Sequence, residues 1–390
     1  MPRLKTFIQV LLLALISPWL YERYITLSTL VTNRPSAFQN LNTFKSHDVL
    51  FRDELRNCED VIVEKSLGIA FISCDPGRDQ WNTVMGTFAP EKPNTAAGIY
   101  TYDYATPSLS PTQRLTHLPI DEPDLHPLGL AFDAASSTLY IANHARHRPS
   151  HILILHVDLA AQPYTTTLIA HLTHPLLHAP NAILSLGGGE LLVTNDHALR
   201  ARRSKLLSSL ETFSGAPGGS VVHIATRTPR TARVVARVPF ANGIVALNES
   251  AVVVASSARG ALYVFARERD EEGGFALRLH KTVRVGAAVD NLSTDGDVVL
   301  AAGHPWALGL MGVARRRAGC VVDGSEVERE ACGCEAASWA AEWSEAGGLR
   351  EVFRDDGRGF CSSSSMVRDG VRGVGIVSGL YERGILVFEP

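Results

Sequence analysis

From residue 60 to the C-terminus the chain is a succession of short β-type runs broken by Gly, Pro, Asn and Asp. Examples are GIAFIS (68–73), TLYIANH (138–144), HILILHVDL (151–159), GSVVHIA (219–225), AVVVAS (251–256), DVVLAAG (297–303) and GVGIVSG (373–379). Their Val, Ile, Leu and aromatic content suits a pleated, half-buried surface. The intervening residues supply the dihedrals of tight turns. Several runs pair across two to four residues, as in AILSL-GGG-ELLVT and GIVALNESAVVVAS. Regular short strands with turns predict a sandwich, a barrel or a propeller. A spacing of roughly fifty residues between equivalent hairpins favours propeller blades.

Three segments break the pattern. Residues 198–215 carry Leu199, Leu206, Leu207, Leu210 and Phe213 at near-helical spacing, which predicts a short amphipathic helix. Residues 316–347 are rich in Glu, Ala and Gly, hold three cysteines, and read as a surface insertion between strands. At the N-terminus, Arg3 and Lys5 precede Phe7–Tyr21, apolar except for Gln9, Ser17 and Pro18. As a helix that stretch is about 22 Å long, short of the roughly 30 Å hydrocarbon core of a bilayer. A basic flank and a short apolar run fit a secretory signal. The bulky Pro18-Trp19-Leu20-Tyr21 offers no small-residue cleavage site, so the segment 1–26 is expected as a signal peptide or as an uncleaved anchor.

The chain has 390 residues, 45% of them hydrophobic and 20% charged, an ordinary globular composition able to bury a core. Its formal net charge of −3 gives no electrostatic basis for binding nucleic acid. The basic cluster Arg200, Arg202, Arg203 and Lys205 reads as a solvated loop or helix start. Six cysteines suit the oxidising compartment that a secretory signal implies. Cys332-Gly-Cys334 with Cys320 lacks a paired CxxC and a nearby histidine, so disulfides are expected rather than zinc. Asn248-Glu-Ser250 is a glycosylation sequon.

Side-chain oxygens recur in four separated motifs: Cys58-Glu59-Asp60, Pro180-Asn181, Phe240-Ala241-Asn242-Gly243 and Val289-Asp290-Asn291. Carboxylates and amides without sulfur or imidazole at ligand spacing are what a hard cation such as calcium takes. Singly, a Glu-Asp pair is a solvated turn and Asn-Gly a hairpin turn. Their surroundings are more specific. NCEDV (57–61), GIAFIS, HPLGLAFD (126–133), ANHARH (142–147), APNAILSLGGGELLVTNDH (179–197), VPFANGI (238–244), VDNLS (289–293) and AGHP (302–305) follow in order from about residue 57 to the C-terminus. In these motifs the chain resembles the serum paraoxonase/arylesterase family of calcium-dependent six-bladed β-propeller lactonases.

That resemblance implies an all-β, six-bladed propeller over 57–390; the polar and mixed residues 27–56 before it read as a connector ending in a short helix. It implies a helix at 198–215 lying over the pocket and touching lipid, although packing on the propeller top is an equal reading of those residues. The resemblance assigns Glu59, Asn181, Asn242, Asp290 and Asn291 to a calcium ion that polarises an ester or lactone carbonyl. Asn181 would assist the oxyanion. A second calcium would use Asp60 and the carbonyl of Leu130, but the family's aspartate after Asn181 is Ala182 here, so that site is expected weak or empty. The family's disulfide from a cysteine like Cys58 to one near the C-terminus lacks its partner, leaving it absent or rerouted to Cys361.

The first histidine of the family's catalytic dyad falls at Leu128, which cannot take a proton, and the second at His144. His304, in GHP, is the first substitute for a general base, with His126 on the same face as position 128 a further one. The expected function is therefore a calcium-dependent hydrolase of lactones or aryl esters in the secretory pathway, secreted or membrane-anchored. Two rivals remain open: a non-hydrolytic calcium propeller that binds a small molecule or partner, and a strictosidine-synthase-like pocket catalyst.

Overall fold

The computed structural model describes residues 2–92, 96–106, 108–270 and 274–390. Six antiparallel sheets follow one another around a central channel. The first blade comprises Cys58–Glu64, Ile69–Cys74, Gly98–Asp103 and Leu115–Leu118, and the second Pro127–Asp133, Thr138–Asn143, His151–Asp158 and Thr165–Leu172. The innermost strands of the remaining four are Pro180–Gly187, Ala241–Asn248, Ala288–Asp295 and Ser363–Asp369. The six-bladed β-propeller expected from the sequence is the observed fold.

Alternation along each strand explains how a blade stays buried on both faces. In Ile69–Cys74, Ile69 and Phe71 pack with Leu139, Ile141 and Leu153 of the second blade. Ala70 and Ile72, on the opposite face, pack with Val367, Ile376 and Ile385 of the sixth. With a side-chain period of two, one strand therefore serves two interblade cores. Each buried Leu or Ile stabilises the packing by about 1.5–3 kcal/mol.

The ring is closed by the chain's beginning. Ser46–Leu50 pairs antiparallel with Ile385–Glu389 and completes the sixth blade, and Leu41–Asn42 extends the fifth. Of the segment 27–56, residues 41–42 and 46–50 are thus strands of the propeller, while 27–32 continue the N-terminal helix. Likewise Ser338–Ser344, inside the stretch expected as an insertion, is the third strand of the fifth blade. The excursion lies before it and carries the helix Ala307–Arg317.

Three disulfides pair all six cysteines: Cys58–Cys74, Cys320–Cys332 and Cys334–Cys361. No rerouting of Cys58 to Cys361 occurs. Cys58 and Cys74 face each other across adjacent strands, close enough to bridge locally.

The helix Lys205–Ser214 starts where Ser204 Oγ accepts the Leu207 N–H, and ends at Gly215, whose φ of +64° favours a residue without Cβ. Its polar residues face inward: Ser208 and Glu211 are buried, and Glu211 accepts the amides of Ala198 and Leu199. Leu206 and Leu210, 69% and 57% exposed, face out with Leu207 and Phe213.

The N-terminal helix Pro2–Thr32 contains a stretch, Gln9–Thr29, that is by length and composition apolar enough to cross a membrane. Its second half is held on the propeller. Trp19 Nε1 donates to the Ser214 carbonyl at 2.8 Å, and Asn33, just past the helix, donates to Gly286 O at 2.6 Å.

Candidate active site in the central channel

Every blade bends its innermost strand near its start. Register slips occur between Cys58 and Asp60, between Pro180 and Ile183, between Ala241 and Ile244, between Val289 and Leu292, and between Ser363 and Ser365. In the second blade Leu128 and Gly129 lie in the same kind of slip. A bulge re-aims the side chains it displaces. The residues placed in these bulges are Glu59, Leu128, Asn181, Asn242, Asp290 with Asn291, and Ser364. Glycine permits the close approach of neighbouring inner strands: a Cβ on Gly243 would lie 2.5 Å from Leu292 N, and one on Gly129 2.3 Å from Asn181 O.

The five oxygen-bearing residues singled out in the sequence are all buried at this end of the channel. Asn242 Nδ2 donates to Asp290 Oδ1 at 2.6 Å and to Ser257 Oγ at 3.0 Å. Asn291 Nδ2 donates to Glu59 Oε1 at 2.9 Å, linking the fifth blade to the first. These bonds leave acceptors over: Glu59 Oε2, Asn181 Oδ1 and Asn242 Oδ1 are buried and have no partner among the described residues. Such groups are costly unless something satisfies them.

Burial first, then the charges of Asp290 and Asp60, hold the Glu59 carboxyl well above its ordinary range. Burial raises Asp60 to about 6, against hydrogen bonds from Leu130, Ser365 and Val61 that lower it. One carboxylate oxygen and two amide oxygens without partners among the described residues, beside the hydrogen-bonded Asp290 carboxylate, form a donor set that fits a hard dication.

Asp60 stands apart from that set. Its Oδ2 accepts the Leu130 N–H at 2.8 Å and its Oδ1 accepts the Ser365 hydroxyl at 2.7 Å. At Leu130 it is the amide, not the carbonyl, that meets Asp60. Ala182, packed in an interblade core, adds no oxygen donor to a second ion.

A cavity of about 540 Å³ opens onto this end of the channel. Glu59, Asn181, Asn242, Asp290 and His304 line it, as do Leu310 and Met311 of the 307–317 helix. His304 Nε2 lies 2.9 Å from Asp290 Oδ2, while its Nδ1 is buried without a partner. In the neutral tautomer that donates to Asp290, Nδ1 carries a free lone pair.

His144 is elsewhere. Its Nε2 donates to the Pro180 carbonyl at 2.6 Å, and its Nδ1 accepts from the hydroxyls of Thr83 and Ser150. Burial lowers its pKa to about 4, so it is neutral and fully bonded. His126 faces Asp75 Oδ2 at 2.9 Å and accepts from Arg146 Nε at 3.2 Å. Leu128 borders both the main cavity and a small void lined by Asp75, His126 and His144. The structure therefore brings together Glu59, Asn181, Asn242, Asp290, Asn291 and His304, and leaves His144 and His126 behind Leu128.

Sequence reasoning missed four arginines of the cavity, Arg23, Arg78, Arg259 and Arg284. Arg78 is buried, with Nη2 donating to Pro127 O at 2.7 Å, and Arg23 comes from the N-terminal helix. An arginine in an apolar N-terminal run was a visible signal; Arg78, in a turn, was not.

Among the described residues one further group, Glu122, His151 and His171, has metal-compatible spacing. There Arg148 pairs with Glu122 and approaches His171 Nδ1 at 3.3 Å, so a cation already occupies the carboxylate.

No family model matches the chain, and no curated protein matches it. Solved structures do. A putative gluconolactonase shares 12% identity with a TM-score of 0.50, covering 90% of this chain and 97% of its own. A gluconolactonase from Xanthomonas campestris shares 13% identity with a TM-score of 0.52, covering 88% and 89%. At such identity the likeness is one of fold.

Proposed function

We propose that the protein is a calcium-dependent hydrolase of lactones or aryl esters. The observation that carries this reading is the pair formed at the cavity wall by His304 and the oxygen cluster: an imidazole with one nitrogen on Asp290 and the other free, beside unbonded buried acceptors. Glu59, Asn181, Asn242, Asp290 and Asn291 are the residues that would hold the ion. When bound, calcium supplies charge compensation and polarisation of the substrate carbonyl. His304 Nδ1 accepts the proton of the attacking water, and Asp290 fixes the imidazole by accepting its Nε2–H. Asn181, lining the same cavity, offers its amide N–H to the carbonyl oxygen as negative charge develops there. Burial of the cavity base keeps competing water from these groups.

Support for a lactone or ester comes also from the two gluconolactonases sharing the fold, carried here as analogy. The disulfides and the apolar N-terminal helix fit the secretory pathway. The outward apolar residues of that helix before Trp19 and of the 205–214 helix, joined through Trp19 and Ser214, fit a membrane or lipid interface beside the cavity. Asn248, exposed at the end of an inner strand, fits a glycan acceptor.

Leu128, which screens His126 and His144 from the cavity, is the observation that favours the second reading, a calcium propeller that binds without hydrolysing. The deciding experiment is hydrolysis of phenyl acetate and of δ-lactones by purified protein, with and without removal of calcium. Turnover abolished by chelation and restored by calcium is expected. Calcium binding without turnover on any ester or lactone would select the binding propeller.

A further inference from the structure

The N-terminal helix brings a guanidinium into the cavity wall and leaves its most useful edge unsatisfied. Arg23 is 9% exposed and lines the cavity. Its Nη1 donates to the carbonyls of Phe213 and Ala258, both at 3.2 Å. Its Nε and Nη2 are buried without a partner among the described residues. Those two nitrogens form the side of the guanidinium whose parallel N–H bonds match a carboxylate or phosphate bidentately. A purely structural cap of the 205–214 helix is achieved by Nη1 alone, and it does not explain why the fork is kept free and dry.

The surroundings add positive charge. Arg259 and Arg284 also line the cavity, and among the described residues the acidic side chain that pairs with them is Glu22, shared between both. Three guanidiniums therefore face one carboxylate. Gly215 makes room for this arrangement: a Cβ there would lie 2.4–2.8 Å from the Arg23 guanidinium. Arg78, the other buried arginine of the cavity, acts on Glu59 and belongs to the oxygen cluster. An unpaired buried cation is costly to keep and is expected where an anion completes it.

We infer that Arg23 is a substrate-binding residue, whose free fork receives an oxyanion on the part of the substrate remote from the scissile carbonyl. The inference rests on the hydrolase reading above and narrows its substrates to lactones or esters bearing a carboxylate or phosphate. It also gives the N-terminal helix a part in the binding site beyond any role as signal or anchor.

The test uses the full chain with calcium and a series of monophenyl esters of linear dicarboxylic acids, four to ten carbons long. Each is compared with its terminal amide, which has the same leaving group and reach but no charge. Wild type is expected to prefer the acid over the amide at least tenfold in kcat/KM at one or more chain lengths. Arg23→Gln should bring that ratio to within about threefold of one, acting on the KM of the acid and leaving kcat and the amide's kinetics near wild type. A wild-type ratio of one or less at every length would overturn the inference, as would a folded Arg23→Gln protein that keeps the preference. If the variant does not fold, the wild-type ratio and its decline with ionic strength still decide. If no ester is hydrolysed, calorimetry with suberic acid monoamide and suberic diamide separates the two ideas. Selective binding of the acid upholds Arg23 and removes only the hydrolase reading, whereas binding of neither removes both.

Discussion

Replacing Asp60 by Asn should make the calcium-free protein more stable above neutral pH and leave its calcium content unchanged. Burial raises the Asp60 carboxyl from 3.8 to about 6. A carboxyl whose folded pKa is raised contributes stability that is present below its unfolded value and lost as pH rises through its folded value. At 1.36 kcal/mol per pH unit, ionising Asp60 inside the fold costs about 3 kcal/mol in full, most of it between pH 4 and 7. An amide does not ionise. The side chain introduced by Asp60→Asn would keep both contacts, its oxygen accepting the Leu130 N–H and its nitrogen donating to Ser365 Oγ, which can turn its own proton to the Glu59 carbonyl. For a propeller of about 330 residues, with an unfolding entropy near 2.1 cal/mol/K per residue, 3 kcal/mol corresponds to a Tm change of about 4 °C. Thermal unfolding of exhaustively dialysed protein should therefore show wild type losing about 4 °C relative to Asp60→Asn between pH 4 and 7. The two should nearly coincide at pH 4. Parallel curves across that range would refute the reasoning. Because both Asp60 oxygens are held by protein donors, elemental analysis should find one calcium in wild type and variant alike. A loss of one ion on substitution would show that Asp60 is a ligand after all.

Three further outcomes follow from the cavity. Asp290→Ala removes a carboxylate from the oxygen cluster and unpairs Asn242 and His304, so stoichiometric calcium persisting in that variant by calorimetry would contradict the ligand assignment. His304→Gln should lower kcat by about 10²- to 10⁴-fold, the usual cost of losing a general base, with calcium affinity near wild type. An unchanged kcat would exclude His304. Leu128→His places an imidazole between the cavity and the His126 and His144 side, and should raise lactonase activity; a variant that folds and stays at or below wild-type rates would show that position 128 no longer matters here.

How much of this could be read from the chain divides along physical lines. The strands were legible because a blade buried on both faces needs alternating apolar residues on each side, as in Ile69–Cys74, and turn residues between. Closure was not legible, since Ser46–Leu50 is largely exposed and polar, SHDVL, and gains its place only by pairing with Ile385–Glu389. The same limit hid the strand Ser338–Ser344 among the acidic and glycine-rich residues around it. Cysteine pairing was equally out of reach, because Cys58 and Cys74 become neighbours only through the register of their two strands.

The site shows the same division more sharply. Glu59, Asn181, Asn242 and Asp290 could be singled out only through the family resemblance of the motifs around them, since each alone reads as an ordinary turn residue. What the sequence does not carry is direction. His144 follows a strand and His304 ends one, and they look alike in ANH and AGH, yet one is sealed by Pro180 O, Thr83 and Ser150 while the other keeps a nitrogen without a partner among the described residues. The difference lies in the bulge of each histidine's own blade. Beside His144 the bulge position is held by Leu128, which cannot bond to an imidazole, and beside His304 the bulge of its own blade supplies Asp290. The chemistry of an imidazole in this channel is therefore set by the residue occupying the bulge next to it. A substitution at such a position should change which histidine is available to a substrate before it changes the fold.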